Sequence, residues 1–339
     1  MLDVKVKIDL KKSLGKSPFG YPLVFNIGST GIAYTECHNL DQVEDAGFET
    51  TSDTYKACQL MFAQNNPPEK VAVCQSNSSL VVSGLEAVWN QPWRQLVVVG
   101  NLGSKIVEGE TVAETIKDIS EAVETHDGKM YFATVSSVPS GDPASFGYGN
   151  GKRTVVFVHT NALAVAALVG ESSSRNVGSF TYKNLILNGI NPATYSDSDI
   201  EKIHTANGLT FVTKAGDNVT TEGKVLSGEY IDIIDAQDYI VSNLEYQTQK
   251  LLNNSSKIPY DDSGIAMLES IATNVLTDAY NLGIIATNSD GAPDFEVSYA
   301  KRSESSAADR EQRKYLGGSF RFTLSGAVHN VEIVGEILL

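Results

Sequence analysis

Residues 95–100 read QLVVVG, residues 129–136 read KMYFATVS and residues 153–160 read RTVVFVHT. Each is a short, nearly unbroken apolar run, the pattern of a strand covered on both faces. Residues 71–75, VAVCQ, are a fourth such run, and residues 22–27 a fifth. The stretches between them carry helical spacing instead. Leu85, Val88 and Trp89 mark one helix, Val112, Ile116, Ile119 and Val123 a second, and residues 162–169 a third. A further helix is predicted over residues 54–64, with Tyr55, Cys58, Leu60 and Phe62 on its buried face. Strands alternating with helices imply an α/β layer on a mainly parallel sheet, spanning residues 21–190.

Beyond it the pattern becomes α+β. A short helix is predicted over residues 199–205, capped by Ser196 or Ser198. Residues 209–214 and 224–226 read as an antiparallel pair around Gly216 and Asp217. Two long helical patterns cover residues 230–253 and 263–282. Strand-like runs come after them at residues 295–299, 320–324 and 328–339.

The two ends alternate. Val4, Val6, Ile8 and Leu10 share one side of a predicted strand, and Asp3, Lys5, Lys7 and Asp9 share the other. At the far end Val331, Ile333 and Ile337 share one parity, with Glu332 and Glu336 opposite. A lone strand leaves its backbone unsatisfied, so each end needs a sheet to join, its own or a neighbour's. Residues 1–16 hold five lysines and two aspartates, whereas residues 331–339 hold two glutamates and no basic side chain. Opposite charges across paired strands favour pairing. The division that results is an N-terminal arm and linker (1–20), an α/β domain (21–190), a C-terminal α+β domain (191–329) and a terminal arm strand (330–339).

Composition narrows the function. The chain has 339 residues and a formal net charge of −15, an unsuitable balance for a phosphate backbone. It has no apolar run of about 18 residues, so no membrane span is expected, and its N-terminus lacks the apolar block of a secretory signal. Folding in a cytoplasm is expected, with Cys37, Cys58 and Cys74 reduced.

No catalytic set emerges. His38, His126, His159, His204 and His329 form no HExxH pair, and adjacent Cys37 and His38 would point to opposite faces of a strand. Residues 147–152, GYGNGK, miss the phosphate-loop pattern at both ends and precede a strand rather than a helix. Asp232, Asp235 and Asp238 recur every third residue, the placement of acids at a helix N-terminus more than of a cation site. Neither a cofactor nor a metal is expected. An α/β enzyme would need a glycine-rich turn between strand and helix, and Ile106 stands where the third glycine after Gly100 and Gly103 belongs. Lys301, Arg302, Arg310, Arg313 and Lys314 make one basic cluster, read either as a solvated face or as a docking surface for an acidic partner. Arg310, Arg313 and Lys314 fall at helical spacing.

One ordered series of motifs carries a family resemblance. It runs from NVTTE (218–222) and YID (230–232) through KIPYDD (257–262), ADREQR (308–313) and GSFRFTLSGAVH (318–329). In order and spacing these resemble the C-terminal half of contractile phage tail sheath proteins. SPFG (17–20) and TYKA (54–57) match the N-terminal half more loosely. The resemblance implies a structural subunit and no enzyme. It implies hexameric rings stacked helically around a tail tube, with baseplate and tail terminator proteins at the ends. It also implies terminal arms that complete a sheet in a neighbouring subunit, and a particle, phage tail or tail-like, assembled in a bacterial cytoplasm. Lys301, Arg302, Arg310, Arg313 and Lys314 become the candidate tube-facing surface. Another tail component, such as a tube or baseplate protein, is the competing reading.

Overall fold

The computed structural model describes residues 20–78, 80–100, 112–142, 146 and 149–331. Its centre is a six-stranded sheet built from β1 (Tyr21–Ile27), β2 (Ile32–Cys37), β3 (Val71–Ser76), β4 (Trp93–Val99), β5 (Met130–Val135) and β6 (Thr154–Val158). The order is β2-β3-β1-β4-β5-β6. Every pairing is parallel except that of β2 with β3. The runs read as doubly covered strands are buried on both faces: Leu23, Val24 and Phe25 of β1 and all five residues of β6 are inaccessible or nearly so.

Helices flank the sheet: α1 (Leu40–Asp45), α2 (Asp53–Phe62), α3 (Val81–Leu85), α4 (Val112–Glu124) and α5 (Ala164–Ser172). One face packs on α2 and α5 through Ala57, Cys58, Met61, Leu168 and Val169, and the other on α3 and α4 through Leu85, Ile116, Ile119 and Val123. α2 starts at Ser52, whose Oγ accepts the Tyr55 N–H. Its buried face is Thr54, Ala57, Cys58 and Met61, one residue round from the predicted one; Tyr55, Leu60 and Phe62 are half-buried. Gly170 explains the rotation. A Cβ there would sit 2.5 Å from the Met61 Cα, so α5 lies directly on the small-residue face of α2.

The same clusters recruit later residues. α6 (Asp197–Thr205) carries Ile203 into one face and is capped by the Ser196 hydroxyl, as expected. Leu209 extends the sheet beyond β6 through a parallel bridge to Phe157. β7 (Phe211–Lys214) pairs with β8 (Asp217–Thr220), not with residues 224–226 as predicted. Ala215 and Gly216 both take positive φ, which closes a two-residue hairpin at once. Lys224 makes only an isolated bridge to Tyr230.

Then come two long helices, α7 (Ile231–Asn254) and α8 (Asp262–Asn281), at the predicted positions. Asp261 caps α8 by accepting from Ser263 and Gly264. The first turns of α7 bury Ile231 and Ile234 against the sheet layer. From Ala236 and Ile240 onward α7 packs instead on Val275, Leu276 and Ala279 of α8 and on Ile284 and Ile285. A separate antiparallel pair, β9 (Phe295–Tyr299) with β10 (Gly318–Phe322), leans on that third cluster through Phe295, Val297 and Phe322. A five-residue helix, α9 (Ala307–Glu311), lies between these strands. The strand predicted from residue 328 has not begun by residue 331. Cys37, Cys58 and Cys74 are free and buried.

Candidate assembly surfaces

The deepest charged cluster ties α7 to the sheet. Arg94, on β4, has a side chain only 6% exposed. Its Nη2 donates to Asp235 Oδ1 at 2.5 Å and its Nη1 to Asp238 Oδ2 at 2.7 Å. Arg153 forks onto both Asp238 oxygens at 2.8 Å, and the Tyr182 hydroxyl donates to Asp235 Oδ2 at 3.0 Å. Burial alone would raise the Asp238 carboxyl, but hydrogen bonds from Arg153 and the charge of Arg94 outweigh it and hold its pKa low. The triad of aspartates is therefore no cation site. Asp235 and Asp238 are the acidic half of a clamp, and of the three only Asp232 lies in the first turn of α7. Asp232 Oδ1 is buried without a hydrogen-bond partner, and desolvation raises its pKa.

The histidines are likewise structural. His126 stacks on Trp89 at 3.9 Å, His159 contacts the Asn191 carbonyl at 2.9 Å, and His38 contacts the Glu69 carbonyl at 3.1 Å. His204 lines a groove beside Tyr195, and burial depresses its pKa. Among the described residues no group of three or more His, Cys, Asp or Glu is placed to hold a metal. The strand order resembles that of open sheets that bind ligands where strand order reverses, here beside β1 and β4. Among the described residues the Asn26 side chain lies there, between Gln75 and Gly100. Asn26 donates to Gln75 at 3.1 Å, and a Cβ on Gly100 would fall 2.4 Å from Asn26 Oδ1.

The β9–β10 sheet is the opposite case, a backbone surface left open. Hydrogen-bonded pairs run through Ala300 with Gly317 and Thr323 with Asp294, so along β10 the amides of Gly318, Phe320 and Phe322 point away from β9. Among the described residues nothing pairs with that edge. Glu296 and Arg321 face each other across the strands, bonded at 2.5 Å. Phe320 is 40% exposed and stacks on Phe322.

The basic cluster divides. Arg302 donates to the Tyr260 carbonyl at 2.8 Å, and Arg310 donates to the carbonyls of Arg302 and Ser305. These two arginines fold residues 301–315 against the turn between α7 and α8. Lys301, Arg313 and Lys314 stay exposed. The helical spacing predicted for Arg310, Arg313 and Lys314 does not hold: α9 ends at Glu311 and Arg313 turns to φ 55°. Of the predicted arm residues, Val331 is 76% exposed. Val4, Val6, Ile8, Leu10, Ile333 and Ile337 lie outside the described residues.

Comparison with known proteins places the fold. Residues 231–337 match the family model for the C-terminal domain of E217 tail sheath protein gp31-like proteins. The chain carries the contractile-sheath fold. It superposes on the helical sheath of the anti-feeding prophage in its contracted state with a TM-score of 0.70 and 13% identity, covering 99% of both chains. The contracted sheath of the extracellular contractile injection system PVC gives 0.69 at 9% identity, over 94% of this chain and 91% of that one. A sheath tail protein from Listeria innocua gives 0.58 at 10%, over 83% and 89%. No curated protein matches in sequence. The superposition thus takes in 99% of the chain, whereas the match to the family model begins at α7 and takes in only the C-terminal third. No described helix of this sheath-like chain is long and apolar enough to cross a membrane.

Sequence reasoning missed three of these features: the Arg94 clamp, the Asn26 contacts with Gln75 and Gly100, and the structural use of Arg302 and Arg310. Only the i, i+3 recurrence of the aspartates, read beside the lone arginine of a buried strand, could have signalled the first.

Proposed function

We propose that this chain is the structural subunit of a contractile sheath, stacking as hexameric rings around a tail tube and contracting to drive the tube through a cell envelope. One observation carries the reading: a chain that superposes on a sheath protein over 99% of its length leaves, among its described residues, a two-stranded sheet with an unpaired edge at β10. Two strands alone are marginal in water, so β9–β10 gains stability from added strands. The basic N-terminal arm (Val4, Val6, Ile8, Leu10) and the acidic C-terminal arm (Val331, Ile333, Ile337) supply them, from neighbouring subunits. Each added main-chain hydrogen bond contributes about 1 kcal/mol net, so a strand of several residues holds firmly while the bodies rotate.

The subunit then divides within α7. The Arg94 clamp fixes its first turns to the α/β body, and its later turns carry the β9–β10 sheet through α8. Lys301, Arg313 and Lys314 face the tube, and Arg302 and Arg310 shape the loop that presents them. Baseplate and terminator proteins bound the polymer, which forms in a bacterial cytoplasm as part of a phage tail or a tail-like particle.

Electron microscopy of the purified chain beside one lacking residues 1–12 tests the reading. Rings or tubes from the full chain, lost in the shortened one, are expected. Tubes from both would refute strand exchange through the N-terminal arm.

A further inference from the structure

Between Leu324 and the last described residue the backbone runs over the surface, with Val328 83% and Val331 76% exposed. One side chain in residues 325–331 turns inward, that of His329. Its ring is 9% exposed and is held on three sides. Nε2 lies 3.0 Å from Thr181 Oγ1, Nδ1 lies 3.2 Å from Glu222 Oε1, and the Tyr230 ring meets it edge-on at 4.8 Å. Lys183 completes the seat, donating from Nζ to the His329 carbonyl at 2.9 Å and to Asn330 Oδ1 at 3.4 Å. The seat belongs to the body: residues 181–183, the stretch after β8, and the residue before α7. None of it belongs to the β9–β10 sheet from which this segment has just emerged.

We infer that His329 is a positioning residue that fixes where the C-terminal arm leaves the body and holds it off the subunit's own β10 edge. The inference rests on the strand-exchange reading above and gives that exchange a reason. A strand joined to β10 by a short connection pairs with β10 as a hairpin far more readily than with another molecule, because loop closure over a few residues costs little entropy. Gly326, at φ 62°, stands four residues beyond β10, well placed for such a reversal. Pinning His329 to Thr181, Glu222 and Lys183 spends residues 323–331 on a path to the body. Residues 332–339 are then presented to a neighbour, and the edge of β10 stays open for another subunit's strand.

The test uses the full chain as wild type, His329→Ala, His329→Asn, Thr181→Val and a form lacking residues 332–339. His329→Ala is expected to fold normally by circular dichroism. A nitroxide label on Val331→Cys, in a chain whose own cysteines are buried, should lose its restricted spectral component once the seat is gone. The Phe320 amide, in contrast, should become protected in the monomer as the freed arm closes on its own sheet, and tube formation should fall. His329→Asn keeps a donor toward Glu222 and should recover part of each effect. Thr181→Val removes one ring partner without altering the arm and should move the same way. Unchanged label mobility at Val331→Cys, or tubes and Phe320 exchange like wild type in His329→Ala, would overturn the inference. The deletion tells failure of the seat from failure of strand exchange. If the chain lacking 332–339 assembles normally, C-terminal strand exchange is what fails, and the seat still stands or falls on label mobility at Val331→Cys.

Discussion

Arg94 carries two aspartates in a place water barely reaches, and that fixes what its loss would do. Removing one partner of a buried ion cluster strands the others and costs about 3–5 kcal/mol. Arg94→Ala should show that loss in urea denaturation at pH 7, and an unchanged midpoint would contradict the clamp. Asp238 and Asp232 have opposite signs in pH. The depressed carboxyl of Asp238 stabilises the fold above its unfolded pKa of about 3.9, and that contribution is lost as pH falls through its lower folded value. The raised carboxyl of Asp232 contributes below about pH 3.9 and is lost as pH rises through its folded value, so at neutral pH it is a net cost. Asp232→Asn should therefore stabilise at pH 7 by about 1 kcal/mol, with the gain vanishing below about pH 4 in a pH series of melts. None of this was legible beforehand. An aspartate every third residue is visible in a sequence, but its partners, 141 and 85 residues away, are not.

At the scale of elements, legibility followed burial. β3, β4, β5 and β6 stood out as apolar runs because both their faces are covered, and α7 and α8 because their length exceeds any competing pattern. β2 did not. It is the antiparallel edge, its one buried residue is Cys37, and Tyr34 and Glu36 face outward to the Tyr21 hydroxyl. The partner of β7 was misplaced because the reversal at Ala215 and Gly216 is tighter than the spacing of apolar residues suggested. For the proposed function the element that matters is β10. Phe320→Pro removes an amide that points away from β9 and leaves the β9 pairing intact, which an edge strand tolerates. The variant should melt within a few degrees of Phe320→Ala yet form no tubes, whereas tubes in both would show that β10 receives no strand.

For the whole molecule, the proposed polymer around a tube needs a side that faces the tube. The exposed cations Lys301, Arg313 and Lys314 stand out in a chain of net charge −15. Replacing all three by serine should lower co-sedimentation with tail tube and flatten its dependence on salt, with the melting temperature kept; screening explains the salt term. Arg302 and Arg310 are unsuitable for that experiment because they bond the loop itself. The series of motifs in residues 218–329 was legible as a sheath-like sequence because these positions shape turns and helix caps, such as Asp261 at α8. The arms were legible only as alternation, which predicts a strand and not which sheet takes it. Cryo-electron microscopy of tubes grown from the full chain tests that point most directly. Strand exchange predicts a strand from a neighbouring subunit lying along the Gly318–Phe322 edge of every β9–β10 sheet. Tubes in which that edge is empty, or is filled by the subunit's own terminus, would contradict it.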